Sequence, residues 1–119
     1  MFQVRVGKPI PVQFTVFEDD EYTPKGGLVA ADFTVTLWKN NVRQEADIVN
    51  TLIETEIHDL DDGGTGAFSS AGTYGFVIRF DDCAFWRIVV KYPTDKRIYE
   101  GDYHVVLQEQ GEMPAGFAL

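Results

Sequence analysis

The residues of this chain best suited to chemistry are carboxylates, which are concentrated in three short segments. In proteins Ca²⁺ takes about six to eight oxygen ligands, and loop aspartates supply many of them. If loops at one end of the fold bring these segments together, the calcium candidates are Asp19, Asp59, Asp61 and Asp81. Asp59 and Asp61 resemble the start of a calcium loop, but Ser70 stands where an EF-hand has its bidentate glutamate. The alternative interpretation is that all of these acids are solvated loop residues.

Motifs for the common kinds of catalysis are absent from the sequence. His58 and His104 lack the spacing of a zinc site, and the glycine-rich run at 63–66 lacks the lysine of a phosphate-binding loop. Cys83 stands beside carboxylates, whereas a reactive thiolate needs electropositive surroundings. A hydrolase that uses two loop carboxylates is a third hypothesis, but acids are too abundant here for any pair to be informative. We therefore expect a protein that is not an enzyme and has no cofactor.

Three aromatic side chains are out of phase with the apolar faces of their predicted strands. Trp38 shares a face with Thr34 and Thr36, and Phe17 and Phe85 also break the alternation around them. Aromatic residues are enriched where proteins bind partners. We therefore predict that Trp38, Phe17 and Phe85 contact a partner in the assembled state. For Trp38, stacking on a sugar and packing against its own fold remain open alternatives.

The charge balance argues against two kinds of partner. The 119 residues include 10 Lys and Arg against 19 Asp and Glu, a net charge of −9, and the pI is near 4.5. Nucleic-acid binding depends on basic residues that neutralise phosphates, and anionic membranes attract basic segments. We expect neither nucleic acid nor a membrane as a partner. The first residues lack the pattern of a signal peptide and one cysteine cannot form an internal disulfide, so we expect synthesis in the cytoplasm.

Apolar residues alternate with polar ones along most of the chain, which predicts strands with one buried face. The predicted strands lie near 2–6, 12–16, 33–37, 52–57, 72–80, 86–92 and 101–107. Turn residues between them favour an antiparallel β-sandwich of about seven strands. The segment at 43–50 fits a short helix or part of a strand, and 67–71 fits a short helical corner.

Two of the predicted strands open with Gly-x-Tyr, at 72–74 and 101–103. Glycine adopts backbone angles that other residues avoid, so each motif predicts a sharp entry into a strand. We expect Tyr74 and Tyr103 at matching corners of the sandwich. The shared core predicted behind them contains Phe76, Ile78, Val105 and Leu107.

The last residues break the strand pattern. We assign 1–109 to one sandwich domain and 110–119 to an extended C-terminal arm, because glycines and a proline interrupt any regular element there. The arm ends in the large apolar residues Phe117 and Leu119, which we predict to bind a neighbouring subunit. The alternative is a frayed terminus.

Several segments resemble immunoglobulin-like domains in virion proteins of tailed bacteriophages. Their opening is similar to VQFTVFEDD at 12–20, PKGGL at 24–28 and FTVTLWKN at 33–40. AGTY at 71–74 and EGDY at 100–103 resemble the paired Gly-x-Tyr strands of bacterial and phage modules. The resemblance covers about residues 10–109. It implies an immunoglobulin-like sandwich, here without the paired cysteines of antibody domains.

The resemblance also implies a function. It indicates a non-enzymatic structural protein of the virion: a capsid decoration protein, or a component of the neck, tail or baseplate. Such a protein binds other virion proteins, as a homo-oligomer or in a symmetric lattice. The alternative from another class is a carbohydrate-binding β-sandwich module that uses Trp38 and the acidic loops, with calcium as a candidate ion.

Overall fold

The computed structural model describes residues 2–60, 72–93 and 95–107. The elements, in chain order, are β1 (Phe2–Arg5), β2 (Ile10–Thr15), a 3₁₀ turn (Ala30–Asp32), β3 (Thr34–Lys39), β4 (Val42–Arg43), α1 (Ala46–Leu52), β5 (Ile53–Asp59), β6 (Thr73–Ile78), β7 (Ala84–Lys91) and β8 (Arg97–Val106). They form a five-stranded sheet in the order β1–β8–β7–β3–β4 and a three-stranded sheet in the order β2–β6–β5. The predicted all-β sandwich is confirmed.

The strand order is that of the immunoglobulin fold. In that fold a G–F–C–C′ sheet packs on a sheet containing B–E–D, and β8–β7–β3–β4 and β2–β6–β5 reproduce these two orders. Two details differ from our expectation. The described residues form eight strands, because the two-residue β4 adds one to the predicted set. In addition, β1 runs parallel to β8, with Phe2 opposite Tyr103, which is possible because these strands are joined by no hairpin.

The core lies between the two sheets and follows the predicted alternation. Every second residue of β2, beginning at Ile10, is buried, and the residues between them are exposed. The inward side of β7 carries Trp86, Ile88 and Val90, all at most 2% exposed. One predicted core residue is wrong: Leu107 is 78% exposed, because β8 ends one residue before it.

The open choice at 43–50 is settled by a short helix. Helix α1 covers Ala46–Leu52 and buries Val49 and Leu52 against the core. Their spacing of three residues places both on one face of a helix, while a strand would send them to opposite faces. Among the described residues no helix is long and apolar enough to cross a bilayer. The predicted corner at 67–71, the boundary at 109 and the arm with Phe117 and Leu119 lie outside the described residues.

Candidate functional site

The structure separates the calcium candidates. Asp59 ends β5 beside the start of β6, and Asp19 lies in the loop that follows β2 at the same end of the sheet. Asp81 lies beyond the other end of the six-residue β6, so the expected convergence of Asp19 with Asp81 is wrong. Asp61 lies outside the described residues. In the part of the chain that the structure describes, no group of three or more His, Cys, Asp or Glu side chains is placed to hold a metal ion.

A neighbouring acid shows how the loop after β2 uses a carboxylate. Asp20 accepts hydrogen bonds from the backbone N–H groups of Tyr22 at 3.1 Å and Thr23 at 2.8 Å, and from the Thr23 hydroxyl. These bonds, the hydroxyl bond foremost, lower the pKa of Asp20. The carboxylate therefore closes a turn.

Two of the three predicted partner-binding aromatics meet at one cleft. Trp38 on β3 lies opposite Arg87 on β7, and Arg87 lies opposite Asp102 on β8. This row crosses the outer face of the five-stranded sheet, and Phe85 is two residues before Arg87 on the same face. An open cleft of about 410 Å³ lies there, which we call the Trp38 cleft. Its principal lining residues are Trp38, Asn40, Asn41, Phe85, Arg87 and Asp102.

The β3–β4 hairpin forms one wall of the Trp38 cleft. Asn40 and Asn41 have φ values of +51° and +66°, the left-handed pair that a tight two-residue hairpin needs and that asparagine tolerates. The Asn40 N–H donates to the Phe85 carbonyl at 2.7 Å, and the Phe85 N–H donates to Asn40 Oδ1 at 3.0 Å. The hairpin is thus held against β7.

An ion pair forms the centre of the cleft. Arg87 Nε donates to Asp102 Oδ1 at 2.7 Å and lies 3.5 Å from Glu100 Oε1. The hydrogen bond between Arg87 and Asp102 raises the pKa of the guanidinium and lowers the pKa of the carboxyl. Both groups are therefore charged at neutral pH. They present donors and acceptors side by side at the surface.

The aromatic side chains at the cleft differ in exposure. Phe85 is 52% exposed, and its ring stacks on that of His104 with centroids 4.4 Å apart and planes 13° apart. Trp38 is half-buried. On the same outer face, two residues along each strand, Thr36 and Val89 are also buried, and the Thr36 hydroxyl donates to the Val89 carbonyl at 3.4 Å. The cleft therefore lies on a well-packed part of the sheet.

The third predicted aromatic, Phe17, lies elsewhere. It is 47% exposed and pairs with Pro24 in an isolated bridge after β2. It lines a second cleft of about 470 Å³, which we call the Phe17 cleft, together with Lys25, Tyr92 and Ile98. Ile98 is near the start of β8, whereas the His104 that supports Phe85 is near its end. The predicted aromatics thus form two separate surfaces.

Comparison with known proteins gives no relative for this chain. Protein-family models and curated protein sequences were each searched, and neither search found a match. The immunoglobulin strand order therefore defines the class of fold alone, and any function has to be argued from the two surfaces.

Sequence reasoning found the aromatics of the Trp38 cleft but missed its polar residues. Arg87 and Asp102 appear in the sequence as ordinary outward residues of alternating strands. The signal that could have found them is the alternation of side chains along a strand. It places Arg87 on the same face as Phe85, and Asp102 on the same face as His104. Which strand lies beside which is set by the tertiary fold, so the sequence alone does not join the two pairs.

Proposed function

We propose that this chain is a non-enzymatic structural subunit of a tailed-phage virion that binds other virion proteins. The observation that carries the proposal is the exposure of large apolar side chains at both ends of the sandwich. Phe17 is 47% exposed at one end, and Phe85 and Leu107 are 52% and 78% exposed near the other. Covering such groups gains about 25 cal/mol per Å² of apolar surface.

The separation of the two surfaces supports a repeating assembly. A subunit with different contact surfaces at its two ends joins its neighbours head to tail, and such contacts build rings or extended lattices. Phe17 and Phe85 are the principal anchors in this proposal because aromatic residues dominate binding energy at protein interfaces. Phe117 and Leu119 of the predicted arm stay as further candidates outside the described residues.

Assignment to a virion is supported by the sequence resemblance over about residues 10–109 and by the immunoglobulin strand order. The net charge of −9 disfavours binding to packaged nucleic acid or to an anionic membrane. We therefore propose that the protein is made in the host cytoplasm and functions as a protein-binding part of the particle.

The test is incorporation into particles. Phe17→Ser and Phe85→Ser, introduced one at a time, are expected to lower the copies per particle about tenfold or more, because each removes an aromatic anchor. Glu56→Gln, on the exposed part of β5, is the control and should leave incorporation unchanged. Copies are counted by quantitative mass spectrometry of purified particles. The proposal is wrong if the wild-type chain is a stable monomer that no capsid or tail component retains.

Carbohydrate binding is the second candidate function, and the Trp38 cleft is the observation that favours it. An indole beside charged and amide side chains is a suitable surface for a sugar ring. The calcium-assisted form of this hypothesis loses its predicted ligand set, because Asp19 and Asp81 lie at opposite ends of β6. A glycan array probed with the wild-type chain and with Trp38→Ala tests the candidate. Loss of signal in the variant supports it, and absence of any glycan signal from the wild type rejects it.

A further inference from the structure

We propose that the Trp38 cleft binds a neutral pyranose without a metal ion, with the sugar ring against Trp38 and its hydroxyls on the Arg87–Asp102 pair. This inference rests on the second candidate function and names the chemical class of its ligand. The cleft volume of about 410 Å³ is within the range of about 300–1,000 Å³ that is typical of small-molecule sites.

The polar groups of the cleft have hydrogen-bonding capacity to spare. Arg87 uses Nε for Asp102 Oδ1, and within the described residues its two terminal NH₂ groups make no hydrogen bond. The same holds for the side-chain amide of Asn41. A guanidinium supplies donors, a carboxylate supplies acceptors and an amide supplies both. Adjacent hydroxyls of one sugar ring need such a mixture, since each hydroxyl both donates and accepts.

The charges of the lining select against other ligands. Arg87 and Asp102 are the charged residues that line the cleft, and they cancel. An anionic ligand meets Asp102 and the nearby Glu100, and the single Arg87 charge is already paired with both of them. A wholly apolar ligand would bury both charged groups without replacing their water, which is costly. A neutral ligand with one apolar face and several hydroxyls avoids both penalties.

The cleft is held in shape before any ligand arrives. The hairpin wall is tied to β7 by the two hydrogen bonds between Asn40 and Phe85. Lys39, the residue before Asn40, is also held in place. Its ammonium group pairs with Asp82, and its Nζ lies 5.6 Å from the centroid of a Trp86 ring. A preorganised site loses less conformational entropy when it binds.

Room for a second sugar lies beside the first. A smaller depression of about 240 Å³ borders the same Trp38 and Arg87 and extends to Arg97. A ligand of two linked rings can therefore contact Trp38 with one ring and reach Arg97 with the other. We expect a disaccharide to bind more tightly than its monosaccharide. For the monosaccharide we expect a dissociation constant of about 1 mM.

The experiment is an NMR titration of the ¹⁵N-labelled chain, in EDTA, with glucose, galactose, mannose, their β-linked disaccharides and glucuronate. We expect saturable shifts of the Trp38 indole N–H and the Asn41 amide with at least one neutral sugar. Trp38→Ala should weaken binding at least about tenfold. Arg87→Lys keeps the positive charge but loses the planar guanidinium with its several N–H donors, and it should also weaken binding about tenfold. Phe17→Ala, in the other cleft, is the matched control and should bind as the wild type does.

Each outcome decides the inference. Trp38-dependent binding of a neutral sugar that persists in EDTA supports it. No shift up to about 50 mM of any neutral sugar, a preference for glucuronate, or a requirement for calcium overturns it. A protein component of the particle that covers Trp38, in the absence of sugar binding, also overturns it. Because Trp38→Ala is expected to weaken sugar binding while Phe17→Ser, outside the Trp38 cleft, lowers incorporation into particles, the failures of the two functions are distinguishable. Unchanged amide spectra away from the cleft show that each variant is folded.

Discussion

The two Gly-x-Tyr motifs share a spacing but have different structures. Gly72 lies just before β6 with φ of +77°, and its carbonyl accepts the N–H of Val16 at 2.8 Å. A Cβ added there would lie 2.8 Å from the Val16 carbonyl oxygen and 2.9 Å from the Lys25 nitrogen. Gly101 lies in the middle of β8, where a Cβ would meet the Tyr99 hydroxyl at 2.5 Å. The first glycine is therefore enclosed mainly by backbone, and the second by the side chains of Tyr99 and Tyr103.

The tyrosines of the two motifs differ in the same way. The Tyr74 hydroxyl accepts the N–H of Leu28 at 3.1 Å and donates to the Lys25 carbonyl at 2.8 Å, so it holds a loop. The Tyr103 hydroxyl pairs with the Tyr99 hydroxyl at 2.7 Å. The same short motif therefore has two structures. At Gly72 it forms a turn that is hydrogen-bonded to a loop, and at Gly101 it lies within a strand, where the glycine leaves room for tyrosine side chains. The neighbours of each glycine decide between them: a facing loop at Gly72, and two tyrosines of the same strand at Gly101.

Gly72→Ala is expected to have the largest effect on stability. An alanine at φ of +77° is strained, and its Cβ would overlap backbone atoms that cannot move alone, so we expect a loss of at least about 3 kcal/mol. Gly101→Ala is the matched control and should cost less, about 1–2 kcal/mol, because its Cβ would meet only side-chain atoms of Tyr99 and Tyr103, which can shift slightly. Chemical denaturation measures both. Equal losses would show that the two glycines have the same role.

Most of the fold was predictable because it depends on local pattern. The period-two alternation gave the strands of the sandwich correctly, for example β2 and β7, whose apolar sides are buried. The entry role predicted for Gly101 is wrong, since β8 continues through that residue. Because the predicted strand began at residue 101, Tyr99 was not placed on the same face of that strand, two residues before Gly101. The parallel pairing of β1 with β8 was missed because strand pairing is a long-range property that a local pattern does not show.

The candidate site was predictable only in part. Trp38 and Phe85 were found because a large apolar residue out of phase is visible in the sequence. Their common cleft depends on the β3–β7 register, which sets Trp38 opposite Arg87. The calcium prediction for Asp19 and Asp81 assumed that their loops share an end of the sandwich, and β6 carries the chain from one end to the other between them.

Tyr74→Phe should have the second largest effect on stability. It leaves the Leu28 N–H and the Lys25 carbonyl without their partner, in a partly buried place. We expect a loss of about 2 kcal/mol in the free energy of unfolding. Amide hydrogen exchange at Leu28 should become faster, which distinguishes loss of the loop contact from a general loss of stability. Unchanged exchange at Leu28 would contradict the assigned role.

Tyr103→Phe should have the smallest effect at neutral pH, about 1 kcal/mol, because the Tyr99 hydroxyl that it leaves can turn to water. Its effect is larger on the pH dependence. Burial, with the Tyr99 hydrogen bond second, raises the pKa of Tyr103, so the folded state holds this proton more tightly than the unfolded chain does. The stability from this difference is complete below the ordinary tyrosine pKa of about 10 and is lost as the pH rises above it.

Between about pH 9 and 11 the wild type should therefore lose roughly 1 kcal/mol more than Tyr103→Phe does. Denaturant midpoints across that range measure the difference, with the exposed Tyr22→Phe as the control for loss of one phenol. Parallel curves for the wild type and Tyr103→Phe would mean that the Tyr99–Tyr103 pair does not retain the proton and that the side-chain fit at Gly101 is looser than its geometry indicates.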